Sequence, residues 1–529
     1  MRFSTRETIQ LTLADGSEVL ATDFGDFLIL KRQSNLAQLG KSIFEADLDF
    51  VDEVIATEAE ICVALNSRYE PKMLFEFERL EIESADDSNP IVHELGIWFS
   101  DSFDDWNLIC DHTGLSKEDY IDRLLNCEFR IAMIGFLPGF VYLSGLPDEL
   151  HVPRKTSPAT RTIPSTFAIG GKYAGIYALP SAAGWNCVGR ISPRLFNSNK
   201  LPPISVSQGD KVKLKQINEA EFKESSTIQD QNRTANNVDV GNSLTIVKSG
   251  MLTLIQDGGR PGLAYFAIPR SGAMDVPAFD LANTLLGNSP ITAAIECHFV
   301  APTIRFNSAA TISLTGANMK WRIDDQKTHR NRTIEVSAGS VLSGSAAKKS
   351  CRGYIGIAGE IQTNSTFNSK SCYLPGQFGG NAGKALASGD ELRWIKPLDA
   401  PFPLSLDIKS LQPDSSLAFV PGPEFDWLDQ ESRDALFMQP FQITPASDRM
   451  GARLDGPRLS TAHQQLGDSV PLLPGMIQLT PAGQCIVVLQ DGQTTGGYPR
   501  IGFLNRQTIQ RLNQTPIGET FTFTIDGSA

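Results

Sequence analysis

A mainly β fold with α+β elements is what the sequence predicts, and three observations carry it. The apolar run IAMIGFLPGFVYLSGLP at 131–147 is broken by Pro138 and by Gly135 and Gly139. A helix interior rejects that pattern, so the run reads as strand, tight turn, strand. Three places share a closing pattern, a Gly and an acid followed by alternating apolar positions: GDKVKL at 209, GDELRW at 389 and GETFTF at 518. Each reads as a turn into the last strand of a β unit. Helical patterns, by contrast, gather before residue 126, where they alternate with short strands.

Taken in order, residues 1–90 form a small α+β unit. The strand patterns EVLATDF and EICVALN are interleaved there with the helical NLAQLGKSIFEA and MLFEFERLEI, and acidic ESADDSNP reads as a connector. Residues 91–218 form a second unit. It opens with the strand HELGIWF and continues with helices over 104–111 and 117–125. Gly114 suits the C′ position of the first, and Ser116 with Asp119 makes a capping box for the second. After the run at 131–147 comes the loop PRKTSPATR, which places Arg154 and Arg161 between prolines. FAIGGKYAGIYALPSAAGWNCVGR then reads as a strand pair enclosing a Ser-Ala-Ala-Gly-Trp turn.

The segment 219–243 is polar and nearly free of aromatics, the composition of a linker. Residues 244–529 follow, with a sub-boundary near 400. They hold a strand, a loop bearing Asp257, Arg260, Ser271 and Asp275, and a helix with Asn283 on its first turns. ITPASDRMGARLDGP packs Ser447, Asp448, Arg449 and Arg453 into one turn region, and DGQTTGGYPR offers Asp491, Thr494, Thr495, Tyr498 and Arg500 around two glycines. GIYALPSAAGWNCVGR and IVVLQDGQTTGGYPRIG share an order of strand, polar turn, Gly-aromatic, strand, which points to duplicated β architecture.

Composition narrows the function classes. A formal charge of −13 with no long Lys/Arg cluster argues against a nucleic-acid binder. The eight cysteines stand singly, and the start MRFSTRETIQ lacks the apolar core of a secretory signal, so reduced thiols in a cytoplasm are expected. The longest apolar run is too short to span a membrane and contains Pro138. Six scattered histidines, with no HExxH and no Cys/His spacing, give no metal site. No GxSxG elbow occurs. FGGNAGKA has Phe378 where a phosphate loop needs its first glycine and Ala385 where it needs a hydroxyl. What remains is a set of Arg, Asp, Ser/Thr and Gly-rich turns suited to holding a carboxylate and polarising an amide. The competing reading of each Asp–Arg pair is a turn-fixing ion pair, favoured for Asp448 with Arg453. It fits least well for Arg154 and Arg190, which flank the most crowded stretch.

These stretches resemble two known families, the B-type and C-type components of the bacterial ATP-dependent 5-oxoprolinase, also called allophanate hydrolase subunits 1 and 2 or the kinase-inhibitor type. The carboxyltransferase region of biotin-dependent urea carboxylase is similar. GFLPGFVYL, PRKTSP, GIY and SAAGW…GR match the B-type pattern, and QDGGRPG, SGAMD, SDRMGARL, PGMIQL and DGQTTGGYP match the C-type pattern. The resemblance implies cyclophilin-like β-barrels in both halves. It further implies a component that opens 5-oxo-L-proline to L-glutamate at the expense of ATP, with or without Mg2+, and that is inactive without an A-type partner subunit. On this reading Asp491 and Thr494 are catalytic and position water or the lactam. Arg154, Ser181, Trp185, Arg190, Asp257, Arg260, Ser271, Asp275 and Tyr498 bind the amide or lactam substrate. The alternatives are a carboxyltransferase component of a biotin-dependent urea or amide carboxylase, although no biotin attachment site occurs in this chain, and a non-catalytic regulator. The sequence departs from the pattern at Leu124, where the families carry a histidine, at Ala159, where they carry an arginine, at Ile191, and at Gly492, where they carry a histidine.

Overall fold

The computed structural model describes residues 8–82, 90–100, 103, 105–155, 161–230, 241–397, 404–406, 415–463, 466 and 468–525, with the side chains of 225–230 left aside. Ala159 and the connector at 83–89 lie outside the described residues.

The N-terminal unit is a five-stranded antiparallel sheet in the order Thr8–Thr12, Glu18–Asp23, Phe27–Lys31, Ile61–Leu65, Val51–Ala56. Helix Leu36–Glu45 buries Leu36, Leu39 and Ile43 against it, one stripe at helical spacing. The segment expected as a second helix is instead a 3-10 helix, Pro71–Arg79. Its Leu74 and Phe77, three residues apart, both face the core, which suits a three-residue turn.

Each half contains a closed seven-stranded barrel, as the resemblance implied, and the two have one topology. The first uses strands Val92–Trp98, Phe129–Ile134, Val141–Ser144, Thr166–Gly170, Tyr173–Tyr177, Asn186–Ser192 and Lys211–Gln216. The second uses Ser416–Pro421, Phe441–Ile443, Gly451–Asp455, Met476–Leu479, Cys485–Val488, Arg500–Phe503 and Thr520–Ile525. Around each barrel the strands run first, sixth, fourth, fifth, third, second, seventh. In both, the seventh strand closes the ring parallel to the first. The duplication inferred from two short segments therefore extends to whole barrels.

The three closing patterns behave as read. Gly209, Gly389 and Gly518 have φ of 97°, 95° and 84°, and each leads into a terminal strand. The helices before the first barrel's second strand are Trp106–Thr113 and Lys117–Leu125. Gly114 takes the left-handed position with φ 71°, and the Ser116 hydroxyl accepts from the Asp119 amide at 3.1 Å.

Between the barrels lie a seven-stranded and a five-stranded sheet over residues 242–395, with helix Val276–Thr284 packed on the latter. The segment read as a linker begins instead with helix Glu219–Asp230, whose Phe222 is buried under the first barrel's Arg190 and Trp98. Residues 231–240 of that segment lie outside the described residues.

The two halves are not merely tethered. Phe24, Phe27, Ile29 and Cys62 of the N-terminal sheet pack with Val420, Leu472, Met476, Val488 and Phe503 of the second barrel. Arg500, fully buried, donates to Glu424 at 2.8 Å and, across the interface, to Glu60 at 2.5 Å. Burial alone would lower the guanidinium's pKa, but the two carboxylates more than offset it, so the group is locked in its charged form.

Candidate functional site

The mouth of the first barrel is an aromatic bowl. Trp185 sits over Gly170 and Gly175, where an added Cβ would come within 2.4 and 2.6 Å of the indole, so only glycine seats the ring. Phe140 and Tyr142 meet Trp185 edge-on at 5.6 Å each, and Phe140 packs on Tyr177 at 4.7 Å. Burial pushes the Tyr142 and Tyr177 hydroxyls to higher pKa, so both stay protonated. At the rim the exposed Arg154 guanidinium lies 5.8 Å from the Trp185 ring centre, and among the described residues no carboxylate pairs with it. Its loop is anchored on both sides. The Lys155 amide donates to Gly184 O at 2.7 Å, and Lys155 Nζ pairs with Asp105 at 2.7 Å, which also accepts from the Cys187 amide.

The second half supplies the facing wall. The Phe136 amide donates to Thr495 Oγ1 at 2.7 Å, and the Thr494 amide donates to Phe136 O at 3.2 Å. Phe136 holds a left-handed φ of 65° to make this contact, and a Cβ on Gly135 would stand 2.5 Å from Thr495 Oγ1. A Cβ on Gly497 would lie 3.8 Å from Arg154 Nη1, so the main chain of the TTGGYP loop runs beside the arginine. The GFLPGF and PRK segments of one half thus meet the TTGGY segment of the other. The result is a guanidinium with no carboxylate partner among the described residues, an aromatic face, the Gly497 main chain and the buried, unpartnered hydroxyl of Thr494. Such a cradle can hold a planar anion and stack an apolar ring beside it.

The structure gathers Arg154, Trp185 and Thr494 here, with Tyr498 next in the chain after Gly497. It assigns the remaining expected residues elsewhere. Arg190 is engaged away from the cradle: its Nε and Nη2 donate to Pro164 O at 3.3 and 3.1 Å, and its guanidinium lies 4.3 Å from the Phe222 ring. Ser181 ties its own turn, donating its amide to Thr162 Oγ1 at 3.1 Å.

Asp491 is a strut. It accepts from the Ser271 hydroxyl, from Arg449 Nε at 2.8 Å and from Arg449 Nη2 at 3.1 Å. Arg449 also donates to Glu296 at 2.5 Å, and Glu296 in turn holds His298 at 2.7 Å and Tyr354 at 2.6 Å. Burial would raise the Glu296 pKa, but Arg449, His298 and Tyr354 together hold it well below the carboxylate range. Asp257 closes its own turn, accepting from Gly259 N at 2.8 Å and Ser369 Oγ at 2.7 Å. Asp275 caps helix Val276–Thr284 through the Ala278 amide at 3.1 Å. Arg260 is 1% exposed, donates to Ser371 O and lies 5.0 Å from the Phe378 ring. Asp448 does not pair with Arg453 but accepts from the Met450 and Gly451 amides at 2.8 and 3.1 Å.

Sequence reasoning missed Phe136 and the role of Thr495, which it had named only as part of its turn, as well as Glu296 and His298. The signal for the first two was available in part, since GFLPGF and TTGG are both Gly-rich turns, but their docking joins residues 359 positions apart. Two departures from the family pattern also have a structural account. Leu124 is fully buried in the first barrel's core, and a Cβ at Gly492 would lie 2.4 Å from Val488 Cγ1, leaving no room for a histidine there.

Comparison with known proteins agrees with this division. The family model for the carboxyltransferase domain, subdomain C and D, matches residues 12–206, and that for subdomain A and B matches residues 266–525. Over 283 residues, 53% of this chain and 90% of the relative, the chain is 35% identical to the C-type component of 5-oxoprolinase from Escherichia coli. Over 147 residues, 27% of this chain and 61% of the relative, it is 31% identical to the B-type component of 5-oxoprolinase from Bacillus subtilis. The crystal structure of TTHA0988 shares the fold, with a TM-score of 0.82 at 23% identity over 94% of this chain and 99% of that one. The chain belongs to the carboxyltransferase-domain family, as a fusion of a half related to the B-type component of 5-oxoprolinase and a half related to the C-type component.

Proposed function

We propose that the protein is the substrate-holding component of an ATP-dependent 5-oxoprolinase, working with a separate A-type subunit. The observation that carries the reading is the Arg154 guanidinium over Trp185, without a carboxylate partner among the described residues and walled by the main chain of Gly497 from the other half. A 5-oxoproline carboxylate matches the forked donor, and the flat lactam ring matches the indole face. The bowl's tyrosines, Phe136 and Phe140 exclude water from that face, which strengthens the charge–charge contact.

Opening an unstrained lactam needs a phosphoryl donor, and this chain's nearest likeness to a phosphate loop does not fit one. In Phe378–Lys384 the amides of Gly380, Ala382, Gly383 and Lys384 are spent on Lys370 O, Gly380 O, Gly379 O and Asn381 O. With those four amides taken, the loop makes a poor phosphate cradle, so we place ATP on the partner and derive no step through it here.

The test is reconstitution with an A-type subunit and measurement of 5-oxoproline-dependent glutamate formation. Arg154→Lys keeps the charge but loses the fork, and should lower kcat/KM about tenfold or more with Tm unchanged. Arg190→Lys should lower Tm and leave kcat/KM within about twofold. Equal kinetic effects at the two positions would remove the assignment of the cradle. Turnover of carboxybiotin in place of ATP would replace it with carboxyl transfer.

A further inference from the structure

A cavity of about 270 Å³ lies between the central sheets and the second barrel, and neither Arg154 nor Trp185 lines it. Its walls are largely apolar, with Leu252, Phe299, Leu374, Leu489, Leu512 and Ile517 among them. The polar lining comprises Ser447, Asp448 and Thr515, the mutually paired Arg449 and Asp491, and three further side chains that are each more than nine-tenths buried: His298 at 3% exposure, Arg352 at 8% and Asn513 at 1%. Mostly apolar walls with a few convergent polar groups are the pattern of a small-molecule site.

The last three have capacity left over. Arg352 touches only the Cys351 sulfur through Nη1, at 3.1 Å, its Nε has no partner, and among the described residues no carboxylate lies within ion-pair distance. Asn513 gives its Nδ2 to Met274 O at 2.7 Å and leaves its Oδ1 unpartnered. His298 is held through Nε2 by Glu296 at 2.7 Å, which makes that nitrogen the donor. Burial, with Arg352 and Arg449 nearby, lowers the imidazole's pKa, so Nδ1 remains a lone-pair acceptor. His298 and Arg352 are direct cross-strand partners, so their side chains stand together on one face of the sheet. Beside the Arg449–Asp491 pair, which satisfies itself, the cavity therefore offers one buried forked cation without a carboxylate partner among the described residues and two acceptors with capacity left.

We propose that this cavity is a second ligand site, separate from the cradle, for a small carboxylic acid that carries an N–H group and an apolar body, the chemistry of an N-acyl amino acid. The carboxylate goes to Arg352, the N–H to His298 Nδ1 or Asn513 Oδ1, and the apolar part to the leucine-rich wall. The site does not depend on the 5-oxoprolinase reading, because none of the residues assigned to hold the ligand, His298, Arg352 and Asn513, belongs to the cradle.

The experiment is calorimetric titration of the full chain with three probes: N-acetyl-L-leucine, its neutral amide, and 4-methylpentanoate, which lacks the N–H. The acid should bind about tenfold or more tightly than the amide, with 4-methylpentanoate between them. Arg352→Gln should weaken N-acetyl-L-leucine about tenfold and leave the amide unchanged. A second variant guards against misfolding. Met251→Glu, at a mouth residue that is 64% exposed, puts a like charge beside the entrance and should weaken the acid several-fold, about what one added screened charge can do. Arg154→Ala should leave all three affinities as they are. Equal binding of acid and amide, indifference to both Arg352→Gln and Met251→Glu, or loss of binding in Arg154→Ala would each overturn the proposal.

Discussion

Replacing Glu53 by Gln should stabilise the protein at alkaline pH and do nothing at acid pH. Glu53 lies in strand Val51–Ala56, 7% exposed, and accepts the Ala264 amide from the other half at 3.0 Å. Burial pushes its carboxyl from an ordinary 4.5 up to about 7, against the pull of Ala264 N–H and Arg270. Between those two values the folded chain holds a proton that the unfolded chain has released. Stability therefore falls as pH rises from about 4.5 through about 7 and is level above that. At about 1.4 kcal/mol per pH unit the loss amounts to about 3 kcal/mol. Gln keeps the acceptor for Ala264 and never ionises. Urea denaturation of both proteins at pH 4, 6, 7 and 8 should give nearly coincident midpoints at pH 4 and a widening gap in favour of the variant, complete by pH 8. A gap independent of pH, or a variant less stable than the parent at pH 8, would refute the buried ionisation.

Residues 1–230 and 241–529, produced as separate chains in one cell, should co-purify, because the phenylalanine clasp and the Glu60–Arg500 pair need no covalent link. Independent elution on size exclusion would contradict this. Arg500→Met should cost about 3–5 kcal/mol, since it strands Glu60 and Glu424 as buried charges without a cation. Adding Glu60→Gln and Glu424→Gln should recover much of the loss in the same thermal melt, and no recovery would mean that the damage is steric.

Much of the fold was legible because it is written locally. The closing glycines, the Ser116–Asp119 cap and the Gly114 terminus each depend on residues within a turn of one another, and each formed as read. Pro71–Arg79 was misread because a short amphipathic stretch satisfies helical spacing and three-residue spacing almost equally well. The helix at Glu219–Asp230 was missed for a different reason. One aromatic, Phe222, anchors it, and composition averages that single residue away. The candidate site was half legible. Arg154 and Trp185 were found from local density, but a sequence shows residue types and not the direction in which they point. Arg190 carries the same guanidinium as Arg154, and Asp491 a carboxylate read as catalytic, yet both are engaged by neighbours that no spacing rule brings near, Pro164 and Phe222 for one, Arg449 and Ser271 for the other.

The contact between Phe136 and the Thr494–Thr495 segment consists of two hydrogen bonds. Bonds of that kind contribute about 1 kcal/mol each and could not by themselves hold two domains in register. Elsewhere in the interface the same two halves are joined by the phenylalanine clasp of Phe24, Phe27 and Phe503, an apolar contact. Apolar association weakens on cooling. The cradle therefore inherits a temperature response that none of its own residues possesses: on the proposed function, the chilled protein should lose affinity for 5-oxoproline before any strand of either barrel melts, and rewarming should restore it.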